Sequence, residues 1–416
     1  NELQDDDGRP LDDDEPVLAA LKDVVARLDP DRRWLATSPT GRVFNNTIDN
    51  IEKDPEGLHD VHGPWEHQGL EAQYELYNRG TSLLSSEFGV EGMTNAKALF
   101  KTIAPEHRLP ATRDNPIYFH RGSWWNNEPL VQRSFGGAIH DVETLVRASQ
   151  LLQAEGLRFA VESNLRRQYR SSGTLPWQFN EPFPNAFCTS ALDYYAEPKS
   201  AYYAVARAYR SLSVTAAFRT QAWAGSDAFE AELWAANDKT GSIENASLTA
   251  TLLDARGNVQ ATSTTAAAIR PNGATRLASF AAPLGSLDTD WFFLDLALTD
   301  GEGRSLAENR YVFSRTSDLR PLLEAPATTL RAELPSEEAE DGFAIRLTND
   351  GDVAALRVRL EDERELGREG YVFFQDSDFD LLPGESRAVR VSFAGVPAGE
   401  RVVSLRGWNT ERIRIG

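Results

Sequence analysis

From residue 1 to about 212, short apolar runs alternate with stretches of helical spacing, a pattern that predicts strand–helix units around a parallel sheet. Trp34-Leu35-Ala36-Thr37-Ser38 reads as a buried strand, part of an Arg33 to Ser38 element, running into a loop at Pro39. Ser82 to Gly89 reads as another strand. Thr174 to Asn180 reads as a further one, although Pro176 lacks a ladder donor. Between these, Asp141 to Arg170 places Val142, Leu145, Val146 and Leu152 on one stripe with charges between them, which predicts an amphipathic helix. Lys199 to Arg210, with Tyr202, Val205 and Tyr209, predicts another.

Beyond residue 212 the helical spacing disappears and strands separated by turn residues take over. Phe229–Trp234, Leu248–Leu253, Val259–Thr262, Trp291–Thr299 and Arg310–Ser314, with turns at Asp254–Gly257 and Asp300–Gly303, predict a β-sandwich over 213–318. Ala344–Leu347, Ala354–Leu360, Val372–Phe374, Arg387–Phe393 and Val402–Leu405 predict a second sandwich over 319–416. The chain is thus expected to be multidomain, α/β followed by all-β.

Composition narrows the partners. The 416 residues hold 43 Lys plus Arg against 63 Asp plus Glu, a net charge of −20 that repels a phosphate backbone, so nucleic acid is not an expected partner. No apolar run is long enough to cross a bilayer, and no membrane partner is expected. The single cysteine, Cys188, cannot form an internal disulfide, which leaves redox compartment and localisation open. Asn1-Glu2-Leu3 is followed by Asp5-Asp6-Asp7, with no initiating Met and no leader-like segment, so the chain is expected to begin inside a longer polypeptide.

Among the carboxylates, Glu87 stands out at the end of an apolar strand in Ser86-Glu87-Phe88-Gly89, where a (β/α)8 barrel would hold its active site. A strand-end carboxylate equally caps a helix or faces solvent, and Glu2 alone would read as a solvated terminal residue. Together, however, Asn1-Glu2, Leu84 to Gly89 and Trp177-Gln178-Phe179-Asn180 resemble the catalytic half of glycoside hydrolase family 2, the retaining exo-β-glycosidases. Arg27 to Arg33, His59 to Trp65, Glu308 to Ser314 and Phe379 to Glu385 extend the resemblance along the chain. The resemblance implies the second half of a (β/α)8 TIM barrel over 1–212 followed by two immunoglobulin-like β-sandwiches. It also implies Glu2 as acid/base and Glu87 as nucleophile of a double displacement.

For substrate binding the resemblance implies that Asn1 holds a sugar 2-hydroxyl. Trp177 is the expected stacking platform, and Asn180 and Glu181 the expected hydroxyl ligands. His62 and Trp65 would line the pocket, though a buried histidine bonded to a carbonyl is as common. Trp124 and Trp125, near Asn126 and Asn127, could form an aglycone subsite, with packing the favoured alternative. His59, His62 and His67 match no helical zinc spacing, and neither a metal nor a cofactor is expected. Asn185-Ala186-Phe187 stands where glucuronidases carry Asn-x-Lys, which argues against a uronic acid. The expected activity is β-mannosidase-like, the alternatives being another exo-β-glycosidase of the family or a non-catalytic carbohydrate-binding scaffold. The expected partners are a glycoside or oligosaccharide and the N-terminal portion of the same protein as a separate chain or fragment.

Overall fold

The computed structural model describes residues 2–137, 139–334 and 341–416. In the first region, β1 (Asp60–His62), β2 (Leu84–Phe88) and β4 (Gly173–Pro176) form a parallel sheet in the order β1-β2-β4. The β3 strand (Gly92–Met93) pairs separately with β5 (Phe187–Cys188). Beside β1 the neighbouring backbone is not the expected Arg33–Ser38 strand. That segment forms no ladder, and His62 instead donates its N–H to Phe44 O at 3.0 Å while Asn46 N–H donates to His62 O at 3.1 Å. The last strand also stops short of Asn180: Pro176 ends it, and the chain turns off the sheet at Trp177.

The long helix spans Val142–Arg166, its N-cap Asp141 accepting the Thr144 N–H. It is buried on nearly every side, which corrects the amphipathic reading. Glu155, Arg158 and Glu162, which the spacing assigns to solvent, have side-chain exposures of 4, 8 and 1%. They face the sandwiches: Arg158 Nη1 donates to Arg310 O at 3.0 Å, and Glu155 accepts from Arg357 Nη1 at 3.2 Å. Charges so placed survive burial because each has an opposite partner.

The first sandwich packs the sheet β10 (Gly273–Pro283)-β7 (Ala228–Asn237)-β6 (Leu212–Ala217) against β12 (Ser305–Ser314)-β11 (Trp291–Thr299)-β8 (Ile243–Asp254)-β9 (Val259–Ile269). Phe229, Leu252, Phe280, Phe292, Leu294 and Phe313 fill its interior. Its turns form as their residues dictate: Asp254 Oδ1 accepts from Arg256 and Asn258 N–H, and Asp300 Oδ1 accepts from Glu302 and Arg304 N–H. The second sandwich packs β13 (Leu330–Glu333)-β14 (Gly342–Asn349)-β18 (Ser386–Ala394)-β16 (Tyr371–Phe374) against β17 (Phe379–Leu381)-β15 (Ala355–Asp362)-β19 (Val403–Arg406)-β20 (Ile413–Ile415). Five of these strands, β6, β10, β13, β17 and β20, are additions to the sequence reading. Arg310, at the end of the first sandwich, bonds both oxygens of Glu385 in the second, at 2.7 and 2.8 Å, so two segments singled out in the sequence meet at one interface.

Candidate active site

Parallel strands bring their C-terminal ends together, and here that edge carries His62, Glu87 and Trp177. His62 is the register partner of Glu87 across β1 and β2. Past the strands the backbone keeps the loops in step: Gly63 N–H donates to Glu87 O at 2.8 Å, Gly89 N–H to Pro64 O at 2.9 Å, and Trp177 N–H to Phe88 O at 2.6 Å. Two glycines make this closeness possible. Gly63 turns at φ +70° under the Trp65 ring, and a Cβ on Gly89 would stand 2.6 Å from Trp177 O.

Glu2 reaches the same place from the N-terminal segment, which is tied down where Glu2 N–H donates to Ser38 O at 2.6 Å and Leu3 N–H to Thr37 Oγ1 at 3.1 Å. The His62 Nδ1 lies 2.9 Å from Glu2 Oε1 and 3.7 Å from Glu87 Oε2. A carboxylate oxygen of each glutamate and the ring nitrogen all lie within 4.8 Å of one another. Exposure is graded: the His62 side chain is 1% accessible, Glu87 15% and Glu2 45%, so the imidazole lies deepest of the three and Glu2 nearest the solvent.

Under the imidazole lies a polar cluster that sequence reasoning passed over. Ser38 Oγ lies 3.1 Å from His62 Nε2, 3.0 Å from Asp60 Oδ2 and 2.8 Å from Ser86 Oγ, while Ser86 Oγ donates to Asp60 Oδ1. Asp60 is 2% exposed. The available signal was the i, i+2 spacing of Asp60 and His62, which puts two polar side chains on one face of a buried strand.

The other expected ligands divide. Trp65 stands edge-on to His62 with ring centroids 6.3 Å apart, and half-buried Trp177 packs against Trp125 at 5.8 Å. Of the tryptophan pair, Trp125 therefore joins the Trp177 wall while Trp124 is exposed. Asn126 and Asn127 are buried and donate to Ala111 O and Glu91 O, which makes them loop supports rather than sugar ligands. Asn180 is exposed and donates to Glu181 O. Glu181 departs from the expectation: it is buried, and its carboxylate accepts the N–H groups of Asn185 and Tyr194, holding its own loop. Burial pushes the Glu181 carboxyl up to about 7 against the pull of the neighbouring Lys199. Asn1 lies outside the described residues.

By distance alone Glu2, His62 and Glu87 could surround a cation. The ring is already engaged on both nitrogens, at Glu2 and at Ser38, and the arrangement is better suited to moving a proton than to ligating an ion.

Comparison with known proteins places the fold. Residues 230–317 match the Mannosidase Ig/CBM-like domain family, and residues 309–410 match the exo-β-D-glucosaminidase Ig-fold domain family. Beta-mannosidase B of Thermothelomyces thermophilus is 25% identical over 408 residues, which is 90% of this chain and 44% of that protein. Beta-mannosidase B of Aspergillus flavus is 26% identical over 274 residues, 62% of this chain and 31% of that protein. The chain thus spans less than half the length of these curated relatives. In three dimensions it is similar to β-D-mannosidase from Dictyoglomus thermophilum, with a TM-score of 0.70 at 23% identity over 94% of this chain and 44% of that one. It is also similar to an Amycolatopsis orientalis exo-chitosanase, with a TM-score of 0.70 at 18% identity over 86% of this chain and 46% of that one. Taken together, the two Ig-like domain matches, the β-mannosidase B relatives and the shared fold support a resemblance of this chain to the C-terminal portion of glycoside hydrolase family 2 proteins, the portion with Ig-like domains.

Proposed function

We propose that the chain carries the catalytic pair of a retaining exo-β-glycosidase. The observation that supports this reading is the approach of Glu2 and Glu87, one oxygen of each within 4.8 Å, which suits the roughly 5 Å separation of a nucleophile and an acid/base better than the roughly 6.5–9.5 Å of an inverting pair. Glu87, the less exposed, attacks the anomeric carbon and forms a glycosyl–enzyme ester. Glu2 protonates the departing oxygen and then takes a proton from the water that hydrolyses the ester. Trp177, backed by Trp125, offers the flat face on which a sugar ring stacks.

The parallel strands are read as part of a (β/α)8 barrel whose remaining strands come from an N-terminal portion of the protein. The open sheet and the helix Pro16–Leu28, which exposes Val17, Leu21, Val24 and Leu28, favour such a companion. The substrate is read as a non-reducing-end β-mannoside, on the Mannosidase Ig/CBM-like match and the β-mannosidase relatives. The exo-β-D-glucosaminidase Ig-fold match favours a β-glucosaminide as the second reading. The full-length protein is assayed on aryl β-glycosides of mannose, glucosamine, galactose, glucose and glucuronic acid, with NMR of the first-formed product. Turnover of the mannoside with retained configuration is expected. Inversion of configuration removes the mechanism, and sugar binding without any turnover leaves a carbohydrate-binding scaffold.

A further inference from the structure

The cluster beneath the pocket contains more hydrogen-bonding contacts than its hydroxyl groups have protons. Four close contacts link Asp60 to Ser86, Asp60 to Ser38, Ser38 to Ser86 and Ser38 to His62 Nε2. Each hydroxyl has one proton to give, and a carboxylate only accepts. If Nε2 is bare, the two serine protons cover two of the four contacts, and a lone pair meets a lone pair in the others. If Nε2 carries hydrogen and donates to Ser38 Oγ, three are covered. The buried site, with Asp60 at 2% and His62 at 1% exposure, makes that difference costly.

The consequence appears on the other side of the ring. With Nε2–H directed at Ser38, the 2.9 Å contact between His62 Nδ1 and Glu2 Oε1 needs a proton of its own, on the ring or on the carboxyl. The titratable groups facing His62 are Glu2, Glu87 and Asp60, all carboxylates, and the rings of Phe44 and Trp65 pack on it without charge. That proton lies between the two partners of the contact, Glu2 Oε1 and His62 Nδ1.

We infer that Asp60, Ser38 and Ser86 are positioning residues that fix His62 as an Nε2–H donor and so hold one proton between His62 and Glu2, the proton delivered to the leaving group. This inference rests on the glycosidase reading. As the glycosidic C–O bond breaks, its electron pair goes to the leaving oxygen, which takes the proton from Glu2, while Glu87 bonds the anomeric carbon. In the second half the attacking water returns a proton to the Glu2–His62 pair, and its oxygen displaces Glu87.

The test uses the full-length protein and the Asp60→Asn variant, in which an amide N–H replaces one acceptor and frees a serine proton for Nε2. Long-range ¹H–¹⁵N spectra of the imidazoles, with His62 assigned by a His62→Gln variant, report the ring state whether or not any substrate turns over. Wild type should show protonated Nε2, and Asp60→Asn should show Nδ1–H with Nε2 bare. On kcat/KM, Asp60→Asn should lose about 100-fold or more for alkyl glycosides, which need a proton, and stay within about threefold for dinitrophenyl glycosides, which do not. Its basic limb should move to lower pH. A bare Nε2 in wild type overturns the inference, as do equal losses on both leaving groups with an unmoved basic limb. If no glycoside is turned over, the glycosidase reading fails, and the ring spectra still decide the tautomer. Should Asp60→Asn not fold, Ser38→Ala, which removes the Nε2 acceptor, is read by the same spectra.

Discussion

The sandwiches and the parallel-sheet region were built from the same alphabet of short strands, yet they bury it differently. In the sandwiches, two sheets close over each other, and Phe229, Phe292 and Phe313, or Ile345, Val358 and Val391, are fully buried. In the first region the helix Pro16–Leu28 buries only Leu18 and leaves Val17 71% and Leu28 73% exposed, and Leu35 and Leu175 are exposed as well. A helix with that stripe facing water is an unfinished layer. On the proposed reading, the difference separates a closed scaffold from the part that bears the site and has apolar surface left to pack.

The largest expected effect follows from placing all the chemistry in the unfinished part. In the full-length protein, Glu87→Ala should abolish turnover on every substrate, because nothing else in the site can form the ester, and Glu2→Ala should keep most of its glycosylation rate on dinitrophenyl glycosides while losing about 10²- to 10⁴-fold on poor leaving groups. Single-turnover kinetics check both. Equal losses for Glu2→Ala across leaving groups would remove its role. Residues 1–416 alone should show folded sandwiches and no activity, with activity restored by adding the N-terminal portion. A monomer of this chain that hydrolyses glycosides unaided would erase the contrast between the regions.

The next effect tests the joint between them. Arg357, on β15 of the second sandwich, is 7% exposed and bonds Glu155 of the long helix and Asp378 of its own domain, both 4% exposed. Arg357→Met would leave Asp378 buried without its ion-pair partner and Glu155 with Arg158 alone, and about 3–5 kcal/mol of stability should be lost in denaturant unfolding. Arg331, which pairs with Asp350 at the surface of the same sandwich, is the control: Arg331→Ala should leave the unfolding midpoint close to wild type, since solvent screens an exposed pair. Similar losses at both positions would mean that the charged seam does not couple the regions.

How much of this was legible in the sequence follows the same division. The loss of helical spacing and the Asp-led turns exposed most sandwich strands, because antiparallel strands are joined by short turns whose residues are recognisable in sequence. Glu87, His62 and Trp177 were legible as strand-end residues, and the structure brings them to one edge. The long helix misled, since Glu155, Arg158 and Glu162 look solvated in one dimension and become buried only when Arg310 and Arg357 arrive from more than 140 residues away. The Asp60–Ser38–Ser86 cluster was legible only in the i, i+2 spacing of Asp60 and His62, because three chain segments supply it and spacing carries no record of which segments meet. Glu181 was assigned to substrate from its place after Trp177, when its carboxylate is occupied by backbone N–H groups of the same loop.

The smallest effect sharpens the comparison inside the first region, where a buried acid and a buried base titrate in opposite senses. Burial pushes the Glu91 carboxyl up to about 8, although it accepts the His67 N–H at 2.7 Å, and burial pushes His67 down to about 3. The folded state thus favours protonated Glu91, so its contribution is fully present below the unfolded value of 4.5 and is lost as pH rises through about 8. His67 is favoured neutral, so its contribution is present above 6.5 and is lost as pH falls towards about 3. Between 4.5 and 6.5 the two slopes oppose each other. Glu91→Gln keeps an acceptor for the His67 N–H and removes the titration, so its melting temperature should be close to wild type at pH 5 and higher by several degrees at pH 9. The sandwiches lack this acid–base pair, and their unfolding step, followed by calorimetry, should be unchanged by the substitution. A wild-type first transition that is flat from pH 5 to 9, or a Glu91→Gln variant no more stable than wild type at pH 9, would show that the buried carboxyl is not held protonated by its surroundings.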